Sequence, residues 1–300
     1  GHFVDFNPTF SAPFNLSHYA KVIPQVALRE TIWSREDGQA EGSNKSGTRG
    51  HYNLSLAMSS QVSRVFDVNV QTWEKIRHEV KPEITYAYVP NIRQDNIPDY
   101  MPAIAEYNAL TWGLTNTFTA KQRAAKGAYS YLEFLRIKLF QTYDINESKK
   151  NVEGTVERRA LSDMGVEVDF KPHPYLSFAA RNQYSVYNGW TVTNYDVNIS
   201  DWRGDNLTVG YRYTLNSIEE INVNLKAVIT DKLAGTFVSR RDQFNSRTVE
   251  NTVGLLYQTQ CWAVGLEYSK TDSLGLDSQM TTDTRFILKL SLTGLGKFGL

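Results

Sequence analysis

The sequence predicts an all-β protein, a transmembrane antiparallel β-barrel of the outer-membrane kind, to which this chain contributes about 15 strands. The first indication is an alternation of apolar and polar side chains that recurs nearly to the C-terminus. The second is that no stretch approaches the roughly 18 apolar residues that a spanning helix needs. The third is a high content of strand-forming aromatic residues, with 17 Tyr, 14 Phe and 6 Trp.

The alternation assigns two faces to each predicted strand. Residues 206–213 place on one face Leu207, Val209, Tyr211 and Tyr213. In the last strand, at about 284–293, the face predicted to meet lipid consists of Phe286, Leu288, Leu290 and Leu292. Its other face consists of Ile287, Lys289, Ser291 and Thr293. Further strands are predicted at 164–171, 176–187, 192–200, 206–215, 221–230 and 262–270, with a polar loop at 271–282.

The connections between the strands separate by length. If the C-terminus is periplasmic, the short connections all fall on the periplasmic side, at 69–77, 121–127, 172–175, 202–205, 231–235 and 258–261. The longest connections then all fall outside, at 36–50, 91–107 and 145–161. A soluble β-sandwich has no reason to place every long loop on one rim, so this segregation favours a membrane protein.

Several functional classes are disfavoured by composition and spacing. A formal net charge of zero, from 32 basic and 32 acidic residues, argues against a dedicated nucleic-acid surface. The five histidines lack the neighbouring Cys or His spacing of a metal site, and no nucleophile elbow is present. The sequence therefore predicts neither an enzyme nor a bound cofactor.

Charged residues that alternate with the apolar positions are predicted to face the lumen. Any one of these charged side chains is most simply explained by contact with water in a water-filled lumen. As a group, they could hold a plug protein or guide an anionic sugar. These residues are Arg136, Lys138, Glu167, Asp169, Lys171, Arg212, Lys226 and Glu267. The aromatic residues predicted to anchor the membrane interface are Trp33, Trp112, Trp190 and Trp262.

The start of the chain leads us to expect missing sequence upstream. It opens at Gly1, His2 and Phe3, without the initiator Met, basic region or apolar region of an export signal. Single-chain bacterial barrels almost always have an even number of strands, so an odd count suggests an incomplete end. The chain is therefore expected to be the C-terminal part of a longer outer-membrane precursor.

Two blocks of sequence carry a specific resemblance. The segment from His78 to Pro98, HEVKPEITYAYVPNIRQDNIP, resembles the H-x-x-x-P-x-x-x-Y-x-Y-V-P-x-x-x-Q-x-x-x-P block of the LptD family of lipopolysaccharide-assembly proteins. Near the C-terminus, YQTQCWAVGLEY from Tyr257 is similar to that family's cysteine-containing penultimate hairpin, and RFILKLSLTGLGKFG from Arg285 to its closing strand and tail.

The resemblance implies a lipopolysaccharide translocon. Proteins of that family combine a periplasmic N-terminal domain, expected to lie upstream of this chain, with a barrel that is plugged by the lipoprotein LptE. They receive lipopolysaccharide from a periplasmic bridge and release its lipid part sideways, through a weakly paired seam between the first and last strands. The lateral-gate strand would here contain Phe286, Ile287, Leu288, Lys289, Leu290, Ser291 and Leu292.

Cys261 is the sole cysteine and has two interpretations. In the family pattern, adjacent cysteines on the penultimate strands form disulfides to the N-terminal segment, but Gln260 occupies one of those positions here. Cys261 either forms a bridge to the missing region, in an oxidising compartment, or remains a free thiol that packs as a small apolar residue.

Two other classes of protein share part of the pattern. A porin-like passive channel would show the same alternation and loops, but it would form a complete, closing barrel. A secreted β-sandwich, such as a carbohydrate-binding module, would not expose the apolar face of the last strand without a facing sheet; that face consists of Phe286, Leu288, Leu290 and Leu292. The upstream sequence would separate the three classes.

Overall fold

The computed structural model describes residues 1–300 except 18, 36–45, 71, 95–96, 124–126, 151–157, 275–279, 293–295 and 299–300. The described part is all-β and contains one short helix, α1 (Ile145–Lys149). Its first strands are β1 (His2–Phe6), β2 (Thr9–Ser11), β3 (Phe14–Leu16), β4 (Ala20–Ser34), β5 (Ser46–Ser60), β6 (Val62–Val70), β7 (Trp73–Val89), β8 (Tyr107–Arg123) and β9 (Tyr129–Asp144).

The C-terminal half adds ten further strands to the described part. They are β10 (Met164–His173), β11 (Leu176–Ser185), β12 (Gly189–Ser200), β13 (Asn206–Thr214), β14 (Ile218–Thr230), β15 (Leu233–Asp242), β16 (Arg247–Gln258), β17 (Trp262–Leu274), β18 (Met280–Leu292) and β19 (Gly296–Phe298). The chain forms two compact units. The first comprises Gly1–Asp67, Arg77–Thr117 and Lys138–Met164, and the second comprises Val68–Ile76, Phe118–Ile137 and Gly165–Leu300.

In the first unit, β4 is paired on both of its edges. One edge pairs with β5 along its whole length, from Ala20 opposite Ser60 to Ser34 opposite Ser46. The other edge pairs in turn with β1, β2 and β3. Pro8 lies between β1 and β2, and Pro13 lies between β2 and β3, because proline has no N–H to donate to the ladder.

The nineteen strands of the described residues exceed the predicted number of about 15 because some predicted strands are interrupted. β1, β2 and β3 are successive segments along one edge of β4. β6 follows β5 after the single residue Gln61, and β19 has only three residues. The alternation in the sequence indicates which face of the sheet a side chain lies on. That face is the same on both sides of such a break, so the alternation does not reveal the break.

In the second unit, β11 to β18 follow one another as antiparallel neighbours. Their connections are short. The turn between β13 and β14 contains Asn216 at φ 57°, a left-handed conformation that Asn tolerates better than most residues. The turn between β12 and β13 contains Gly204 at φ 91°, which a side chain would strain.

Two predicted connections are shorter in the structure. For the polar loop predicted at 271–282, both predicted boundaries are wrong. β17 continues to Leu274, and β18 begins at Met280. β5 begins at Ser46, inside the loop predicted at 36–50, of which residues 36–45 lie outside the described part. The loop predicted at 145–161 is not shortened: it begins with α1, β10 starts only at Met164, and residues 151–157 lie outside the described part. Polar residues extend these strands because ladder hydrogen bonds do not require apolar side chains.

The alternation gives the second unit an apolar face and a polar face. On the apolar face, Phe178, Tyr195 and Tyr211 of three neighbouring strands form a ladder with ring centroids 6.0 and 6.2 Å apart. The same face continues through Leu225 opposite Phe237 and through Leu266 opposite Leu288. Leu288 remains 64% exposed and Phe286 76%, so this face lacks a covering layer within the described residues.

Candidate functional site

Asp169 is the centre of an ion-pair cluster on the polar face of the second unit. Its Oδ1 lies 2.6 Å from Nη2 of Arg181 on the next strand, and its Oδ2 lies 3.3 Å from Nη2 of Arg136 on β9. Arg181 also donates through Nη1 to the carbonyls of Val168 and Ala180. One carboxylate therefore holds two guanidinium groups from different strands, and the cluster presents both signs of charge to solvent.

A second ion pair joins β12 and β13. Nη2 of Arg212 donates to Oδ1 of Asp196 at 2.6 Å, and Nη1 donates to the carbonyls of Tyr195 and Tyr211. Gly210 stands directly opposite Asp196, and a Cβ there would lie 3.3 Å from Oδ1 of Asp196. The absence of a side chain at Gly210 thus leaves room for the pair.

Further ion pairs lie on the strands toward the C-terminus. Nζ of Lys289 on β18 lies 2.6 Å from Oε2 of Glu267 on β17. Arg240 on β15 and Glu250 on β16 stand directly opposite each other, at 3.7 Å between Nη2 and Oε2. The polar face therefore carries many charged side chains, and the net charge of each of these pairs is zero.

The eight charged residues predicted to face the lumen differ in their surroundings. Four of them, Arg136, Asp169, Arg212 and Glu267, belong to the ion pairs just described. Lys138 makes a cation–π contact, with its Nζ 5.0 Å from the ring centroid of Phe140. Glu167 is half-buried, whereas Lys171 and Lys226 are exposed.

The sequence did not single out Arg181, Asp196, Arg240 or Glu250, which complete three of these pairs. Asp196 lies between two apolar residues, Tyr195 and Val197, as the predicted residues do, whereas Arg240 lies between Ser239 and Arg241. What identifies all four is a partner of opposite charge on a neighbouring strand, and that partner follows from the register between strands.

The strand predicted to form the lateral gate lies at an asymmetrically paired position. β18 pairs with β17 over all thirteen of its residues, from Met280 opposite Leu274 to Leu292 opposite Trp262. On its other edge, the described pairing covers only Leu290, Ser291 and Leu292, which pair with β19. Phe286, Leu288 and Leu290 lie on the apolar face, and Ile287, Lys289 and Ser291 lie on the polar face.

In the first unit, Gln94 forms hydrogen bonds that hold the segment between β7 and β8 against the sheet. Its Nε2 donates to the Ile104 carbonyl at 2.6 Å, and its Oε1 accepts from the Ile104 N–H at 2.7 Å. The buried Arg49 of β5 donates through Nη1 to Oε1 of Gln94 at 3.2 Å and to the Pro102 carbonyl at 2.9 Å. Pro98 of the same segment is fully buried.

A second polar contact in the first unit joins β1 to β4. Asp5 forms an ion pair with Arg29, and its Oδ1 accepts from Oγ1 of the buried Thr31 at 2.9 Å. Trp33 lies on this same face of β4, two residues beyond Thr31, and is only 5% exposed. Its prediction as a membrane-interface anchor is therefore wrong, because the ring packs over Gly47 rather than facing outward.

Cys261 lies in the turn between β16 and β17 and is an exposed free thiol. The turn is closed by Thr259, whose N–H and Oγ1 both donate to the Trp262 carbonyl, at 2.8 and 2.9 Å. The exposed position leaves the thiol accessible to another chain segment. Among the described residues, no group of three or more His, Cys, Asp or Glu side chains is arranged to hold a metal ion.

Comparison with known proteins identifies the family. A family model described as LptD, LPS transport system D, matches residues 1–249. The chain belongs to the LptD family. The matched range ends within β16, so β17 and β18 lie beyond it.

Curated LptD relatives extend the match. The LPS-assembly protein LptD of Methylococcus capsulatus is 23% identical over 100% of this chain and 34% of its own length. That of Burkholderia thailandensis is 24% identical over 79% of this chain and 33% of its own length. The LptD protein of Thiobacillus denitrificans is 21% identical over 97% of this chain and 41% of its own length. The chain thus spans about a third of the length of these LptD proteins.

The LptD-like block from His78 to Pro98 has a structural explanation. Gln94 and Pro98 are two of its defining positions. After β7, Gln94 forms the hydrogen bonds that hold the segment, and Pro98 is its fully buried residue. His78, at the start of the block, lies 3.1 Å through Nε2 from Oδ1 of Asn116 on β8. Within the described residues, no helix has the length and apolar character needed to cross a membrane.

Proposed function

We propose that this chain is the C-terminal barrel part of a lipopolysaccharide translocon in the outer membrane of a Gram-negative bacterium. Membership in the LptD family supports this assignment. The observation that carries it is the pairing of β18, which is complete toward β17 and covers three residues toward β19. β18 would be one lip of a lateral gate, and the other lip would be the first strand of the full-length protein.

The physical requirement for such a gate comes from the cargo. Lipopolysaccharide is an amphiphile whose sugar head must cross the membrane while its acyl chains stay in hydrocarbon. A closed barrel wall blocks this path, because every broken ladder bond exposes polar backbone to lipid. A seam with few ladder bonds is the place where opening costs least. The apolar side chains of Phe286 and Leu288 would then face the departing acyl chains.

The polar face would form the path of the sugar head. Its ion pairs, such as Asp169 with Arg181 and Asp196 with Arg212, offer both hydrogen-bond donors and acceptors. Because the charges are already paired, a saccharide could exchange hydrogen bonds with them without being held tightly. The same face would contact an LptE-like lipoprotein plug, and periplasmic bridge proteins would deliver the lipid to the domain upstream of this chain.

The gate is tested by locking it in the full-length protein. A cysteine replacing Leu288 is combined with cysteines scanned along the first strand, and surface lipopolysaccharide is measured under oxidising conditions and after reduction. We expect the lock to abolish surface delivery and reduction to restore it. The matched control is Val209→Cys with Val223→Cys, two residues directly opposite each other on β13 and β14. Normal surface delivery with a fully locked seam would contradict the gate and leave a barrel of unassigned cargo.

A further inference from the structure

The apolar face of the second unit changes character toward the end of β15, β16 and β17 that lies away from the Cys261 turn. Three exposed or half-buried apolar residues stand side by side in the last apolar row, Phe237, Val253 and Tyr268. Two residues farther along each strand, the same face carries the outer polar row, which consists of Ser239, Asn251 and Lys270. Oγ of Ser239 donates to Oδ1 of Asn251 at 2.8 Å. The apolar surface therefore ends at a defined boundary.

Arg241 lies one row beyond this boundary. It is on the same face of β15 as Ser239, because Arg241 stands opposite Ile221 and Ser239 stands opposite Val223. Arg241 and Lys270 are both exposed. They are separated by two strand spacings of about 5 Å each and by one row of about 7 Å along the strands. Two long cationic side chains can therefore reach one group placed above Asn251.

These two cations are not neutralised by neighbouring carboxylates. Among the described residues of the second unit, neither Arg241 nor Lys270 forms an ion pair, whereas every other arginine does. The paired arginines are Arg123, Arg136, Arg181, Arg203, Arg212, Arg240, Arg247 and Arg285. An anion approaching Arg241 and Lys270 would meet charges without a competing partner.

The acidic residues around the two cations have other partners. Asp242, next to Arg241 in the chain, pairs with Arg247. Asp272, two residues beyond Lys270, accepts from Oγ1 of Thr282 at 2.7 Å. Glu219 of β14 accepts from the hydroxyl of Tyr211 at 3.3 Å. The local charge balance therefore favours an anionic ligand.

The distance along β17 places the cations where hydrocarbon would give way to headgroups. Trp262 begins the strand at the turn end, where its ring lies 5.6 Å from that of Tyr257. From Trp262 to Lys270 the strand rises about 26 Å, or about 20 Å along the membrane normal at a tilt of about 40°. An outward apolar band of a membrane barrel is about 25 Å tall. Lys270 would thus extend its aliphatic stem over apolar surface and its ammonium group into the headgroup layer.

We propose that Arg241, Lys270 and Asn251 bind the phosphorylated headgroup of a glycolipid that resides in the outer leaflet. The phosphate would lie above Asn251, between the two cations, and the acyl chains would lie against Phe237, Val253 and Tyr268. Lysine and arginine are the usual phosphate-binding side chains, and the neutral amide adds hydrogen bonds. The inference rests on the proposed function, which puts the Cys261 turn in the periplasm. The site is on the membrane-facing surface, so it is separate from the path of the sugar head along the polar face.

The test is photocrosslinking to the full-length protein, purified with its native partners and placed in bilayers of a neutral phospholipid. A photoreactive amino acid replaces Thr248, which stands opposite Arg241. The control position is Thr193, which lies toward the same end of the apolar face on β12 and stands opposite Tyr213. The bilayers also contain bisphosphorylated lipid A, lipid A without its phosphates, or phosphatidylglycerol at equal phosphate content.

Three sets of substitutions accompany the labelling. Arg241→Gln with Lys270→Gln removes both charges, and Arg241→Lys with Lys270→Arg keeps both. The matched control is Lys232→Gln, an exposed lysine in the turn between β14 and β15, at the opposite end of the sheet. Circular dichroism confirms that each variant is folded.

We expect bisphosphorylated lipid A to label Thr248 about tenfold more than its dephosphorylated form, as attraction by two basic residues would require. The double Gln variant should lose this preference, and the charge-keeping variant and Lys232→Gln should retain it. Position Thr193 should show no preference. Equal labelling by both forms of lipid A, or a preference that survives the double Gln change, would overturn the proposal. So would equal labelling by phosphatidylglycerol, which would indicate general attraction of anionic lipid.

Failure of this site is separable from failure of the translocon proposal. If a fully locked seam leaves surface lipopolysaccharide normal while phosphate-dependent labelling at Thr248 persists, the gate fails and the lipid site stands. If the lock abolishes surface delivery while labelling shows no dependence on phosphate, the lipid site alone fails.

Discussion

Lys289 and Glu267 form an ion pair, at 2.6 Å between Nζ and Oε2, that joins the last two long strands on their polar face. The two residues are diagonal neighbours, since Glu267 stands opposite Ile287 and Lys289 stands opposite Gly265. On the apolar face, Tyr268 and Phe286 stand opposite each other with ring centroids 4.9 Å apart. β17 and β18 are therefore joined by side-chain contacts on both faces.

The ion pair should make a small, measurable contribution to the stability of this hairpin. A double-mutant cycle of Lys289→Gln and Glu267→Gln in the full-length protein should give a coupling free energy of about 0.5 kcal/mol, because the lysine side chain is more than half exposed and solvent screens the pair. The measurement is urea unfolding from lipid bilayers. A coupling of zero at low ionic strength would mean that the pair does not hold the strands together.

The apolar face of β14 should be far less tolerant of charge than its polar face. Leu225→Arg places a cation opposite Leu207 and Phe237, and should lower the free energy of unfolding by about 2–4 kcal/mol if this position lies near the membrane midplane. Asn224→Arg, one residue earlier on the polar face, should change it by about 0.5 kcal/mol or less. Equal costs at the two positions, measured by unfolding in bilayers, would contradict a lipid-facing surface.

Removing Gln94 should loosen the segment between β7 and β8. Gln94→Ala leaves both the N–H and the carbonyl of Ile104 without their partner and takes one acceptor from the buried Arg49. The expected loss of local stability is about 1–3 kcal/mol. Hydrogen exchange at Ile104 should accelerate accordingly.

The matched control for that experiment is Gln25→Ala, because Gln25 is exposed on β4. It should leave exchange at Ile104 unchanged. Unaltered exchange in Gln94→Ala would show that Arg49 and the buried Pro98 suffice to hold the segment.

The turn between β12 and β13 should weaken in acid. Burial tends to raise the pKa of Asp201, but the backbone N–H groups of Asp205 and Arg203 donate to its carboxylate and hold the pKa below its ordinary value. Because the pKa is lowered in the folded protein, the carboxylate stabilises the turn above the ordinary value, and this contribution is lost as pH falls through the lowered pKa. The carboxyl carbon signal of selectively labelled protein reports the titration, with the urea-unfolded chain as reference. A folded midpoint at or above the unfolded one would contradict this role.

Much of the fold was predictable from the sequence because strand faces depend on a local period of two residues. The apolar face of the last strand, from Phe286 to Leu292, follows from neighbouring residues alone, and the structure has the same alternation. The family was recognisable from the block ending at Pro98, and the family comparison confirms it. Strand ends were less predictable, as β17 and β18 show by extending into a predicted polar loop.

The sequence by itself therefore determined the all-β class, the two faces of each strand and the family. Tertiary structure alone decided which charges meet, because Asp169 and Arg181 are twelve residues apart and become partners only through the packing of β10 against β11. It also decided that Trp33 is buried, that Gln94 reaches Arg49 across 45 residues, and that Lys226 has no acidic neighbour in its register. A period of two fixes the face of a side chain, whereas its neighbours depend on the register between strands that are distant in sequence.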